Sequence, residues 1–159
     1  MNGIVRTAVA VAALAGAIGV TATVRADDKE DLVKNRVATM KQQGGDLKYI
    51  GDFIKGAGGD QAGAEAKVQD LLSLNGKLLA LFVPGTSSTD MPGKSNAKAE
   101  IWTDWDKFKA IVPVLQDAEM KLADAIKSGD KAAMGAALAN TGRNGCGACH
   151  SQFREKLPQ

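Results

Sequence analysis

The two cysteines and the single histidine of this 159-residue chain lie within five residues of each other, in Cys146-Gly147-Ala148-Cys149-His150. This C-x-x-C-H spacing is the attachment sequence of c-type haem. Each thiol adds to one haem vinyl group, and the adjacent histidine supplies a neutral imidazole nitrogen to the iron. The motif therefore predicts one covalently bound haem c, with Cys146 and Cys149 as anchors and His150 as an axial ligand.

Three other interpretations use the same residue types. A structural zinc site needs four ligands, and the cysteines and histidine of this chain supply only three. A disulfide or a redox C-x-x-C suits an oxidising compartment, but a histidine follows the motif directly and no βαβ pattern surrounds it. Two unpaired structural cysteines are the third alternative. Haem accounts for the order of the three residues better than any of these.

The side of the iron opposite His150 must face a methionine or nothing, because the chain has no second histidine. Met91 falls in a loop, and Met134 falls on the inward face of the last helix. Met120 is flanked by Glu119 and Lys121, which suggests a polar face. These positions leave Met40, on the inward stripe of the first helix, as the candidate.

Met40 follows Arg36 by four residues, and such a pair shares one helix face. Arg36 could then pair with a haem propionate while Met40 meets the iron. Plain packing of Met40 over an open iron is the alternative, because methionine fills irregular gaps well.

Residues 1–26 have the pattern of a secretory signal: a short basic start, an apolar core from Thr7 to Val20, and Val24-x-Ala26 before the cleavage point. Cleavage after Ala26 leaves one domain, residues 27–159. An uncleaved anchor is the alternative, but the apolar core is short for a span of about 20 residues. Covalent haem attachment follows export, so we expect a periplasmic protein with no stable membrane insertion after cleavage.

Composition narrows the function classes. The chain is 45% hydrophobic and 24% charged, as expected for one globular domain. Lys and Arg number 20 against 18 acids, and Arg6 and Arg25 precede the first acid, so residues 27–159 balance at 18 against 18. That balance argues against nucleic-acid binding. No Ser/His/Asp or paired-carboxylate constellation indicates an enzyme.

Four segments show apolar residues at helical spacing, at about 29–55, 61–82, 101–126 and 131–156. Short connections between amphipathic helices predict an all-α antiparallel four-helix bundle. Gly44-Gly45 is expected to interrupt the first helix, and Pro113 to kink the third. The last helix is rich in Ala and Gly on its inner face, which leaves room for a bound group.

The chain resembles the class II c-type cytochromes, meaning cytochrome c′ and its low-spin relatives, over nearly all of residues 29–156. The haem motif lies near the C-terminus, and Cys146 to Arg154 follow the family's C-x-x-C-H-x-x-[YF]-R. Three further stretches are similar to family features: the third-helix start Ala99–Asp104, the loop Phe82–Thr86, and Arg36 with Met40 four residues later.

The resemblance implies that Arg36 lies near a propionate, that Thr86 and its loop touch the haem edge, and that Arg154 lies on the proximal side. The family divides at the position of Met40. Members with a coordinating methionine there are low-spin and carry electrons, whereas members with an apolar, non-coordinating residue are high-spin and bind small gases. Val37, Ser87 and Pro113 depart from the pattern of many high-spin members.

Our first hypothesis is therefore a periplasmic electron carrier whose iron is ligated by His150 and Met40 and which meets redox partner proteins. The second is a five-coordinate, high-spin module that binds nitric oxide or carbon monoxide. An inert helical bundle with free thiols is the third. Homodimers formed through the first two helices are common in the family, so a homodimer is possible here.

Overall fold

The structure is a computed structural model that describes residues 25–156. Almost all of the expected export signal, residues 1–26, lies outside this range. The described helices are α1 (Ala26–Lys55), α2 (Gln61–Gly76), α3 (Glu100–Thr103), α4 (Trp105–Ser128), α5 (Lys131–Asn140) and α6 (Ala148–Phe153). A π-helical segment, Thr141–Gly147, joins α5 to α6 with helical dihedral angles at both junctions.

The four long helical runs form a closed ring. Helix α1 packs on α2, α2 on α4, α4 on α5 and the π segment, and α5 on α1. One apolar cluster joins the C-terminal half of α1, the N-terminal half of α2, the C-terminal half of α4 and the start of α5. Because opposite ends of successive helices meet there, each helix is antiparallel to its neighbours in the ring. The predicted antiparallel four-helix bundle is confirmed.

Capping residues define the two short connections. Gly56 and Gly129 end α1 and α4 with φ of 70° and 72°, in the left-handed region that glycine adopts without a Cβ penalty. Asp60 and Asp130 then begin α2 and α5, and their carboxylates accept hydrogen bonds from backbone amides of the next turn. Each connection is thus a helix stop followed at once by a helix start.

The helix boundaries differ from the sequence prediction in the middle of the chain. Helix α2 ends at Gly76 and is followed by a 3₁₀ turn, Leu78–Leu81. The third segment is broken at Asp104, where φ is −114° and ψ is 41°. Helix α1 continues through Gly44-Gly45, so the expected interruption is wrong. Helix α4 contains Pro113 and continues beyond it to Ser128, and the kink expected at Pro113 stays a prediction.

A second apolar cluster occupies the opposite end of the bundle. It consists of Leu78, Phe82, Ala97, Ile101, Phe108 and Phe153, with Met40 and Cys149 packed partly against it. The long connection 77–104 supplies four of these six buried residues, so it forms part of the core rather than a free loop. None of the helices between residues 25 and 156 has the length and apolarity needed to cross a bilayer.

Candidate haem site

The cysteine motif lies at the junction of the π segment and α6. Cys146 is near the end of the π segment, and Cys149 and His150 are in the first turn of α6. The Thr141 hydroxyl donates to the carbonyls of Ala118 in α4 and Ala137 in α5, at 3.2 and 3.0 Å. π-Helical turns occur frequently at functional sites, because the wider turn changes which residues face inward.

A cavity of about 320 Å³ lies beside this motif. Arg36 and Met40 of α1 line one side of it, and Cys149, His150 and Arg154 line the other. Five of the seven candidate residues therefore meet around one space. Cys146 and Thr86 are not among the residues that line it.

Phenylalanines form the apolar wall of the cavity. The Phe108 ring is at the centre, with ring-centroid distances of 4.7 Å to Phe82 and 5.3 Å to Phe153, both in edge-to-face geometry. Trp105 adds a third contact to Phe108, at 5.5 Å. The resemblance places the loop of Phe82 at the haem edge, but sequence reasoning does not bring the three rings together, because they come from three parts of the chain.

Arg36 is a buried cation, 5% exposed, that borders the cavity. Its guanidinium donates to the carbonyls of Leu81 and Thr86 and to the hydroxyls of Thr86 and Ser95, at 2.9 to 3.3 Å. All of these acceptors are neutral, and no salt bridge among residues 25–156 includes Arg36. Burial lowers the pKa of Arg36 to about 10. An uncompensated buried cation at a cavity wall fits an anionic group such as a haem propionate.

Thr86 lies behind the cavity wall, and its contact with the haem edge stays a prediction of the resemblance. It is fully buried, its hydroxyl donates to the carbonyl of Val83 at 2.7 Å, and its carbonyl accepts from both Arg36 and Ser95. Thr86 therefore supports Arg36 from behind the cavity wall. The Thr86 side chain turns back toward its own loop, where its hydroxyl meets the Val83 carbonyl.

The segment after the motif is tied to the same loop. Backbone bonds run from Lys98 to the carbonyl of Phe153, at 2.9 Å, and from Glu155 to the carbonyl of Asn96, at 2.8 Å. These bonds flank Arg154 and fix its backbone, while its side chain remains exposed and lines the cavity. Arg154 thus lines the same cavity as His150, and its position beside a haem stays a prediction of the resemblance.

The ionisation of the motif residues suits haem attachment better than thiol redox chemistry. Burial, with a smaller effect from Cys146, raises the pKa of the Cys149 thiol to about 11. Burial and the charge of Glu119 raise the pKa of Cys146. Redox-active C-x-x-C motifs instead require a lowered thiol pKa. Burial, and then Arg154, lower the pKa of His150, which keeps a lone pair free on the imidazole.

The zinc alternative finds no support in the part of the chain that the structure describes. Across residues 25–156, no three His, Cys, Asp or Glu side chains converge as metal ligands. The residues present do fit a haem: an aromatic cavity, a neutral imidazole, two uncharged thiols on one helical run, and a buried cation without an anion.

Glu119 is the one inward residue of α4 that the sequence analysis misplaced. The expectation of a polar face around Met120 is right for Met120, which is 51% exposed, but wrong for Glu119, which is 1% exposed. The spacing Leu115, Glu119, Leu122, Ile126 is a helical stripe that could have placed it inside. Met134 is buried in the core, as expected.

Comparison with known proteins gives consistent matches. Residues 31–154 match the family model described as Cytochrome C′. A cytochrome c′ from Rhodospirillum rubrum is 37% identical over 146 residues, covering 91% of this chain and 95% of the relative. One from Alcaligenes xylosoxydans is 34% identical, covering 80% of this chain and 95% of the relative.

Solved structures agree with these matches. A nitric oxide complex of a mutant cytochrome c prime from Alcaligenes xylosoxidans has a TM-score of 0.70 and 32% identity, covering 81% of this chain and 97% of that one. A carbon monoxide-bound variant of cytochrome c prime from that organism has a TM-score of 0.69 at the same identity, covering 80% and 97%.

Proposed function

The chain belongs to the cytochrome c′ family, whose members carry covalent haem c, and from that membership we propose that it binds nitric oxide or carbon monoxide. The observation that carries the proposal is the cavity between Met40 and His150, beside an intact C-x-x-C-H motif. Variants of one relative, 32% identical to this chain, have been solved with nitric oxide and with carbon monoxide bound. This places the second of our sequence hypotheses ahead of the first.

Each side chain around the cavity has a role in the proposal. Cys146 and Cys149 would hold the haem by two thioethers, and His150 would supply a nitrogen ligand to the iron. A bound haem would supply an iron that can take up a diatomic ligand. Met40 packs against the phenylalanine cluster at the cavity wall, and would so limit the space that a ligand can enter.

The polar residues orient the haem. Arg36 provides the positive charge that a propionate needs, while Thr86 and Ser95 hold the guanidinium in place. Burial, and then the nearby Arg154, disfavour the protonated form of His150. Phe82, Phe108 and Phe153 exclude water from the apolar part of the site.

Electron transfer with Met40 as sixth ligand is the second candidate function. It is favoured by one observation, that Met40 and His150 line the same cavity. The two functions make opposite demands on the Met40 thioether, which either ligates the iron or only packs above it.

The visible spectrum of the purified ferrous protein, before and after addition of carbon monoxide, tests the proposal. We expect a broad high-spin spectrum that carbon monoxide shifts. Sharp low-spin bands that carbon monoxide leaves unchanged would overturn the gas-binding proposal and favour a closed, six-coordinate iron.

Substitution of Met40 separates packing from ligation. We expect Met40→Leu to keep the wild-type spectrum, and Met40→Ala to bind carbon monoxide about tenfold faster, because about 1.4 kcal/mol of crowding is removed. Met120→Leu, at an exposed methionine, is the matched control. A change from a low-spin to a high-spin spectrum in Met40→Leu alone would identify Met40 as the ligand.

Periplasmic location, redox partner proteins and a homodimer remain predictions from the sequence. The absence of catalysis is a prediction as well. Export is tested by N-terminal sequencing of the mature protein, for which we expect a start at Asp27.

A further inference from the structure

Helix α4 buries a carboxylic acid in the bundle interior. Glu119 is 1% exposed and lies between Leu115 and Leu122 on the inward stripe of α4. It forms no salt bridge with any cation among residues 25–156. A buried ionised carboxylate without a cation is strongly disfavoured, and such a group prefers to hold a proton.

Its hydrogen-bond partner suits both protonation states. The Asn75 amide of α2 donates from Nδ2 to Oε2 of Glu119 at 3.3 Å, and Asn75 is itself 1% exposed. The Asn75 carbonyl oxygen Oδ1 is buried and has no partner. Rotation of the amide by about 180° would turn this acceptor toward a protonated Glu119, whose hydroxyl would then donate to it. Asn75 can therefore serve the carboxylate with its donor and the acid with its acceptor.

The acid lies on the helix that packs against the attachment motif. Helix α4 packs on the π segment that carries Cys146, and the charge of Glu119 acts on that thiol, second to burial. Helix α6 also packs on α4, and its titratable groups are Cys149 and His150. The shifts of these two groups arise from burial first and then from Cys146 and Arg154, respectively. On α2, the polar group that contacts Glu119 is the neutral amide of Asn75. The residues of α5 in the core, Met134, Ala137 and Leu138, are apolar and carry no charge.

We propose that Glu119 is a proton-binding site coupled to the redox state of the haem, so that Glu119 takes up a proton when the site gains an electron. This inference rests on the proposed attachment of haem at Cys146. An added electron lowers the positive charge near Glu119 and stabilises its protonated form. Release of the electron reverses the effect.

The step balances simply. A one-electron donor reduces ferric to ferrous iron, and one proton moves from solvent to a carboxylate oxygen of Glu119, where an O–H bond forms. No bond to carbon breaks, and the net charge of the protein interior is unchanged. Burial raises the pKa of Glu119 to about 7, against the opposing effect of Asn75, so that the exchange falls near neutral pH.

The test is the reduction potential of the holoprotein as a function of pH. For wild type, we expect the reduction potential to fall as pH rises near 7. The limiting slope is about 59 mV per pH unit, the value for one proton taken up with one electron. Glu119→Gln keeps the shape but cannot titrate, and it should be flat in this range. Asp124→Asn, at an exposed acid on the same helix, should keep the wild-type slope.

A second readout follows the proton itself. Redox difference infrared spectra of wild type should contain the C=O stretching band of a protonated carboxyl in the reduced state, and Glu119→Gln should lose it. Asn75→Leu removes the donor to the carboxylate and should move the pH dependence to higher pH.

The outcomes separate this inference from the proposed function. If carbon monoxide binds normally but Glu119→Gln keeps the slope, or wild type has none, the proton site is refuted and gas binding stands. If the protein carries no covalent haem after maturation in a capable host, both fail. A flat Asp124→Asn profile would assign the proton to another group and also refute the proposal.

Discussion

At the scale of single residues, Arg36 connects α1 to the long connection that forms the cavity wall. Four hydrogen bonds to neutral acceptors hold its guanidinium, and its carbon Cζ lies 4.9 Å from the centroid of the Phe82 ring. Because these acceptors are themselves buried, the same residue that would bind an anion also holds the loop. Its loss should therefore affect both the fold and the site.

We expect Arg36→Met to lower the free energy of unfolding by about 3 kcal/mol, since buried acceptors lose a charged donor. Denaturant unfolding of the purified protein measures this. Arg143→Met, at an exposed position of the π segment, is the control and should change little. Equal stability of the two variants would show that the loop does not depend on Arg36.

Glu119 makes stability depend on pH. Its pKa is raised from 4.5 to about 7 in the folded state, so the folded state holds a proton that the unfolded state has lost. The contribution of protonated Glu119 to the free energy of unfolding is therefore fully present below about pH 4.5, and it is lost as pH rises through about 7.

Glu119→Gln removes this dependence. We expect the variant to exceed wild type by on the order of 2 kcal/mol at about pH 8, and to match it near pH 4.5, where wild-type Glu119 is protonated. Unfolding at the two pH values checks the sign. A constant difference across pH would indicate a packing effect and not a titration.

At the scale of elements, the π segment brings the motif against α4. A Cβ added at Gly145 would lie 2.5 Å from Cδ1 of Leu115 and 3.5 Å from its Cα, whereas one added at Gly142 would meet nothing within 4 Å. The close approach of the two helical runs thus depends on a glycine at position 145, whereas a Cβ at position 142 would meet no neighbour.

This pair gives a matched test. We expect Gly145→Ala to destabilise the protein by about 1 to 3 kcal/mol through overpacking. Gly142→Ala should be neutral, or stabilising by up to about 1 kcal/mol, because alanine loses less backbone entropy on folding. Thermal unfolding of both variants is the measurement, and equal effects would contradict close packing at Gly145.

At the scale of the whole molecule, the bundle has one well-packed end and one end built around a cavity. The first end is continuous aliphatic core, from Ile50 to Met134. The second depends on aromatic side chains, a buried cation and the long connection 77–104. A haem at the second end would fill the cavity and supply the missing anion, so binding and folding should be coupled there.

Cys146→Ser with Cys149→Ser prevents covalent attachment and tests this coupling. We expect the double variant to have a lower unfolding temperature and a loss of several kcal/mol, because a group that binds only the folded state stabilises it. Circular dichroism during heating records both proteins. An unchanged unfolding temperature would mean that the cavity end is stable without the haem.

The sequence by itself determined the chemistry of the attachment motif and the class of fold. Cys146, Cys149 and His150 are neighbours in the chain, so their spacing alone predicts that they bind a c-type haem. Helical periodicity is likewise local, and it predicts four amphipathic segments and hence a bundle. The pairing of Arg36 with Met40 follows from one turn of one helix.

Only the tertiary structure decided which polar residues lie inside and what they contact. Thr86 supports Arg36 across 50 positions, Glu119 meets Asn75 across 44, and the phenylalanine wall comes from three parts of the chain. The break at Asp104 and the π segment depend on the packing of neighbouring helices. Such contacts depend on how distant segments pack against each other, and the local periodicity of the sequence does not specify that packing.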